Sequence, residues 1–216
     1  GGMKVFGATF FVFSDYERPA IRLRALQGLP VVSEFTHDSF WVGEDGPTHQ
    51  PIEHIMSFRC MPGVNVLRPA DANEAAILTK FAFDQESTPS LVLLTRQGLP
   101  VLDRKQFPEA ISVLKGGYIV DDVENPEIII YATGSEVHTA IEAKKLISNK
   151  LIRVVNLASW ELFENQPEKY KNEVLGDDSA FKVSLEAGVT FGWEKYTGRN
   201  GLNIGINRFG ESAPGN

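Results

Sequence analysis

Cysteine is almost missing from this sequence. Cys60 is the only one, so no disulfide can close within the chain and no thiolate cluster can hold a metal. A lone cysteine in a chain of this kind reads as a buried, inert core thiol, and a reducing compartment, the cytoplasm, is the expected setting. Long apolar runs are also missing: no window reaches the ~18 consecutive apolar residues of a membrane span. No signal peptide is expected, because Gly1–Gly2–Met3–Lys4 leads straight into a strand-like run. Positive charge is short as well. A net charge of −7 argues against nucleic acid as a partner, which usually demands a basic face. Internal repeats and low-complexity segments are missing too.

What is present is ordinary globular material. The 216 residues are 43% hydrophobic and 23% charged, enough for one large domain or two modest ones. Short apolar strands are expected at 9–13, 30–35, 64–68 and 90–95, with helices between them at about 18–27, 52–61 and 71–85. The last helix carries a start signal, with Asp71 able to cap and Glu74 able to reach back. Ala75, Leu78 and Ala82 follow at one-face spacing. Residues 99–117, with Pro100, Pro108 and Gly116–Gly117, read as a linker. A second block then opens with strand 128–132 and a helix to about Ile147, its inner face marked by Ala140, Ala143 and Ile147. Further strands are expected at 152–157, 181–186 and 202–207. Such alternation implies an α/β fold with mainly parallel strands between helices. Both ends read as cut, because no helix follows to cover the last strand.

Three stretches can carry chemistry. The densest is Thr36–His37–Asp38–Ser39 followed by Gly43–Glu44–Asp45–Gly46–Pro47–Thr48–His49–Gln50–Pro51, at the carboxyl end of a strand, where ligands of open α/β sheets sit. Its imidazoles and carboxylate suit proton transfer and hydroxyl recognition. A plain surface loop with a helix cap, or a zinc site short of ligands, fits the same spacing. Next comes Arg96, at another strand end, whose planar fork suits phosphate oxygens and equally an ordinary salt bridge. Arg68 is similarly placed and reads as a tie between strand and helix. The third stretch is Phe10, Phe11, Phe13 and Tyr16. Under strand alternation Phe11 and Phe13 share one face and Phe10 the other. Either core packing or a stacked heterocycle would use them. His54 reads as facing solvent or capping packing on its helix, and His138 as lying on the outer run of a helix; neither is given a role.

These stretches together resemble the transketolase family. Residues Gly43 to Pro51 follow its signature almost letter for letter. Further blocks run in order along the chain: Gly7–Ala8–Thr9–Phe10, Phe13–Ser14–Asp15–Tyr16, Arg18–Pro19–Ala20–Ile21–Arg22–Leu23, Thr36–His37–Asp38–Ser39, Arg68–Pro69–Ala70–Asp71–Ala72–Asn73–Glu74, Thr95–Arg96–Gln97, Ala132–Thr133–Gly134–Ser135–Glu136–Val137 and Arg208–Phe209–Gly210. The resemblance implies two three-layer α/β domains with mainly parallel sheets: a pyrimidine-binding domain over 1–102, a linker over 103–115, and a transketolase-type C-terminal domain over 116–216.

It implies reversible transfer of a two-carbon ketol unit from a ketose phosphate such as xylulose 5-phosphate to an aldose phosphate such as ribose 5-phosphate, as in the pentose phosphate pathway. Thiamine diphosphate would be the electron sink. Phe10, Phe13 and Tyr16 match aromatics that stack with its pyrimidine ring. His37 matches a histidine at the substrate phosphate and hydroxyls. Asp45 matches a carboxylate reading a hydroxyl, and Arg96 an arginine on the distal phosphate. His49 matches a histidine near the reacting carbonyl; His37 and His49 are the candidate catalytic residues. The ring-protonating glutamate and the ligands for Mg2+ or Ca2+ would lie outside these residues, so no metal ligand is expected among them. A homodimer with sites between subunits is implied, with no nucleic acid or membrane partner. Rival readings are a dihydroxyacetone or deoxyxylulose-phosphate synthase, or a half-site or non-catalytic module, since this chain alone is expected to be inactive. The sequence departs from the family at Ala8, at Phe40–Trp41 beside the substrate mouth, and at Gly98.

Overall fold

A computed structural model describes residues 2–214 of the chain. In chain order the first half runs β1 (Phe6–Phe10), α1 (Ser14–Gln27), β2 (Val32–Thr36), α2 (His54–Arg59), β3 (Asn65–Leu67), α3 (Ala72–Asp84) and β4 (Ser90–Leu93). Its four strands pair in the order β1-β2-β4-β3, all parallel. The second half holds β5 (Tyr118–Asp121), β6 (Ile128–Ala132), α4 (Glu136–Leu146), β7 (Ile152–Asn156), α5 (Trp160–Glu164), α6 (Glu168–Leu175), β8 (Phe181–Leu185), α7 (Glu194–Thr197) and β9 (Leu202–Ile204). Its sheet order is β5-β7-β6-β8-β9, parallel except for β5, which runs antiparallel to β7. The molecule is thus two α/β units with mainly parallel sheets.

Local chemistry accounts for the start of α3 and the end of α1. Asp71 caps α3 by accepting from Glu74 N at 2.9 Å, while Glu74 reaches past the cap to accept from Ala70 N at 2.8 Å. Leu78 and Ala82 are fully buried beneath that helix. Gly28 ends α1 in the left-handed conformation, φ 63°, which satisfies the last carbonyls at no Cβ cost. On α4 the inner face is Val137, Ala140 and Ile141; Ile147, expected to be internal, lies past the helix end and is 40% exposed.

The first strand departs most from its expected place. It lies at Phe6–Phe10, and Phe11–Phe13 wind into a 3₁₀ turn that feeds α1. Strand alternation therefore does not apply to the aromatics: Phe11 is buried in the core, whereas Phe10 and Phe13 come to one side. Residues 99–117 hold a 3₁₀ segment at Ala110–Lys115 with Val113 fully buried, packed near α3. Cys60 is exposed, not a core thiol, because it follows the last turn of α2 at the surface. Among the described residues no helix is long and apolar enough to cross a membrane.

The two units share one apolar core. Leu67, Ala70 and Leu78 from the first pack in the same cluster as Val113, Ile130, Ala132, Val137 and Ala158. Arg68 N donates to Ala158 O at 2.8 Å, and Val66 N to Glu161 Oε2 at 3.2 Å, so β3 docks on the loop after β7. His138, expected to face outward, is half-buried there, its Nε2 lying 2.8 Å from Ala70 O.

Candidate active site

The carboxyl end of β2 is where the polar groups collect. Directly after Thr36 the backbone of His37 turns left-handed, φ 58°, a conformation costly for a residue with a side chain. That turn lays the imidazole flat on Phe10, ring centroids 3.7 Å apart at 22°. His37 Nδ1 sits 3.0 Å from Thr36 Oγ1. Burial first, then the positive charge of Arg96, pull the imidazole below its ordinary value, while Asp45 and Asp38 pull it up. The charges of Arg96 at the end of β4 and Asp45 in the signature loop thus both reach His37.

Phe13 lies parallel to Phe10, centroids 6.2 Å apart at 10°, and His49 meets Phe13 edge-on at 5.4 Å. Tyr16, 86% exposed, tilts against Phe13 at 6.3 Å. The aromatic run and the histidine loop, separate in sequence, form one continuous wall from Tyr16 through Phe13 and Phe10 to His37.

The loop itself is wound tightly. Gly43 and Gly46 take φ 82° and 77°, which L side chains rarely adopt. Gln50 pins the loop by donating to Gly43 O at 2.9 Å and to Glu211 O at 3.1 Å. Gly210 must be glycine at this crossing, since a Cβ would fall 1.7 Å from Gln50 Oε1. Within the loop, His49 Nδ1 lies 2.9 Å from Thr48 Oγ1. Phe40 and Trp41 lean on each other, ring centroids 4.5 Å apart at 32°, and, with Ile206 and Arg208, line a groove of ≈300 Å³ beside it.

Arg96 is exposed and, among the described residues, forms no ion pair. The same holds for Asp45. Their heads are available to a ligand, which disfavours the ordinary salt-bridge reading of Arg96. His54 does not face solvent: it is 4% exposed, its Nε2 lying 3.2 Å from Asp15 Oδ2 beneath α1. A grouping of Asp15, Glu53 and His54 brings three metal-capable atoms together, a cluster that no spacing along the chain announces.

Sequence reasoning missed a buried charge cluster behind the site. Arg68 ties the end of β3 to the start of α4 in the second unit. It is wholly buried, its Nε donating to Asp38 Oδ2 at 2.7 Å and its Nη1 to Thr133 Oγ1 at 2.8 Å and to Glu136. Arg59 forks onto Glu186 at 2.8 and 2.7 Å. These partners are 30 to 127 residues apart in the chain, so no local pattern could reveal them.

Two family models match: the transketolase pyrimidine-binding domain over residues 1–101 and the transketolase-like C-terminal domain over residues 116–216. The transketolase of Bacillus subtilis is 50% identical over the whole chain, which covers 33% of that protein. A solved transketolase from Pichia stipitis, in complex with sedoheptulose 7-phosphate, superposes with a TM-score of 0.91 at 42% identity, over 97% of this chain and 30% of that one. Transketolase from Leishmania mexicana gives 0.93 at 40% identity, over 99% and 31%. The chain spans about a third of the length of these relatives. With matches in order along both halves, the chain belongs to the transketolase family.

Proposed function

We propose that this chain supplies the pyrimidine-ring and sugar-phosphate contacts of a thiamine-diphosphate transketolase, which moves a two-carbon ketol unit from a ketose phosphate to an aldose phosphate. One observation carries this reading. His37 stands at a joint, its ring stacked on Phe10 while the charges of Asp45 and Arg96 bear on it. The ring platform and the groups offered to a sugar phosphate therefore meet at His37.

The residues fit the cofactor's ring. Phe13 and Tyr16 offer half-buried and exposed aromatic faces for a planar heterocycle, with Phe10 behind. When bound, thiamine diphosphate supplies the electron sink for the ketol unit. The chain's own groups bind and orient. Arg96 offers a guanidinium fork for a terminal phosphate, and His37, uncharged near neutrality because its pKa is pulled down, hydrogen-bonds phosphate or hydroxyl oxygens beside it. Asp45 accepts from a substrate hydroxyl and so reads its configuration. His49, set edge-on against Phe13, holds a proton near the reacting carbonyl in this reading. Magnesium or calcium with its diphosphate ligands, a homodimer with sites between subunits, and a cytoplasmic place in pentose phosphate metabolism complete the proposal, together with a domain division at 1–102 and 116–216.

The test is turnover of xylulose 5-phosphate with ribose 5-phosphate by the full-length protein that carries this chain. His49→Ala is expected to lower kcat by about 10²-fold or more, the usual worth of a positioned proton-transfer group. The chain alone is expected to be inactive. Full activity in His49→Ala, or turnover by these 216 residues alone, overturns the reading.

A further inference from the structure

The left-handed backbone of His37 needs a cause. Such a conformation is costly for a residue with a side chain and persists only where the surroundings over-determine it. On its amino side stands the end of β2. On its carboxyl side stands Asp38, 1% exposed, whose Oδ2 takes Arg68 Nε at 2.7 Å. The hold on Asp38 is therefore the hold on Arg68.

Arg68 in turn is gripped almost entirely from the second unit. Its backbone N–H goes to Ala158 O at 2.8 Å, and its Nη1 goes to Thr133 O at 3.0 Å, Thr133 Oγ1 at 2.8 Å and Glu136 Oε2. Glu136 is itself fixed by Ser135 Oγ at 2.6 Å and Ala187 N at 3.0 Å. Beneath the guanidinium lies Gly134, φ 55°, where a Cβ would stand 2.7 Å from Arg68 Nε. Each member is almost fully buried, so water cannot substitute for a lost contact.

We propose that Arg68 is a positioning residue for the substrate site: anchored by Thr133 and Glu136 of the C-terminal unit, it fixes Asp38 and thereby the turn that presents His37. The C-terminal unit thus sets substrate affinity through a chain of contacts that touches no substrate. The proposal rests on the reading of His37 as a substrate contact.

The experiment uses the full-length enzyme and two acceptors, ribose 5-phosphate and glycolaldehyde, a two-carbon aldehyde that carries no phosphate. Glu136→Gln removes the charge that holds Arg68 yet keeps the side chain's shape. It is expected to raise KM for ribose 5-phosphate about tenfold, within the range of coupling through packed networks, and to leave KM for glycolaldehyde unchanged. In a His37→Ala background the same substitution is expected to add nothing. Arg68→Lys should restore part of what Arg68→Met loses. Should Glu136→Gln fail to fold, Thr133→Val removes one acceptor from the same guanidinium and is expected to show the same split at smaller amplitude. Equal losses on both acceptors, or an undiminished effect in the His37→Ala background, overturn the relay. If His37→Ala alone leaves KM for ribose 5-phosphate unchanged, the substrate role of His37 fails and the proposal fails with it.

Discussion

Replacing Glu186 by glutamine tests how the two units are joined. Glu186 is 2% exposed, and its oxygens accept from Arg59 Nη1 and Nη2 at 2.8 and 2.7 Å, Thr133 Oγ1 at 2.7 Å and Trp193 Nε1 at 3.0 Å. Arg59 is just as buried and lies over Trp160, 4.2 Å from the ring centre. Glutamine keeps the volume but leaves that guanidinium without its charge partner in a dry interface. Breaking a buried pair from one side costs about 3–5 kcal/mol, and because an amide oxygen still accepts one bond, the low end, about 3 kcal/mol, is expected. For a chain of this size that lowers Tm by roughly 6–12 °C, readable by circular dichroism.

The pH dependence has a definite sign. Burial pushes the Glu186 carboxyl up, but the charge and hydrogen bonds of Arg59, with help from Arg68, bring it to a net value below the usual carboxylate range. A depressed folded value means stability that is present above the unfolded pKa, ~4.3, and lost as pH falls through the folded one. The gap between wild type and Glu186→Gln should therefore be full at pH 7 and close in acid. A gap under about 1 kcal/mol at pH 7 would refute the clamp, as would one that persists undiminished in acid. The double change Arg59→Met with Glu186→Leu, which removes both charges, is expected to cost less than Glu186→Gln alone.

Three further outcomes follow from the geometry. Gly134→Ala forces a side chain into φ 55° and into Arg68 and should cost about 2–4 kcal/mol by urea unfolding. Tyr118→Phe takes the hydroxyl from buried Glu74 Oε1 and should cost about 1–3 kcal/mol in the same assay. In the full-length enzyme, Phe13→Ala should weaken thiamine diphosphate binding about 2- to 10-fold by titration, the worth of a stacked aromatic, with little change in Tm.

The alternation of strands and helices is legible because buried parallel strands read as apolar runs, as Ile128–Ala132 does, and because Asp71 with Glu74 spells a helix start. β1 is displaced from its expected place because Phe11–Phe13 have strand-like composition while the chain tightens there into the 3₁₀ turn before α1. β5 is hidden directly after a Pro- and Gly-rich stretch; being a short antiparallel edge strand, it carries a weak pattern. In the candidate site, the two histidines, Asp45 and Arg96 could be nominated from strand-end position. The stacking of His37 on Phe10 and the Asp38–Arg68–Glu136 cluster could not, because long-range charge pairing leaves no periodic trace.

A sugar-phosphate grip at these strand ends stands or falls on Arg96. The direct measurement is kcat/KM of the full-length enzyme for ribose 5-phosphate and for unphosphorylated ribose, with and without Arg96→Ala. If the guanidinium holds the phosphate, the preference for the phosphorylated sugar falls about 10²-fold while the slow rate on ribose stays as it was. Equal losses on both sugars, or a preference that survives the substitution, would contradict the placement of the phosphate against Arg96.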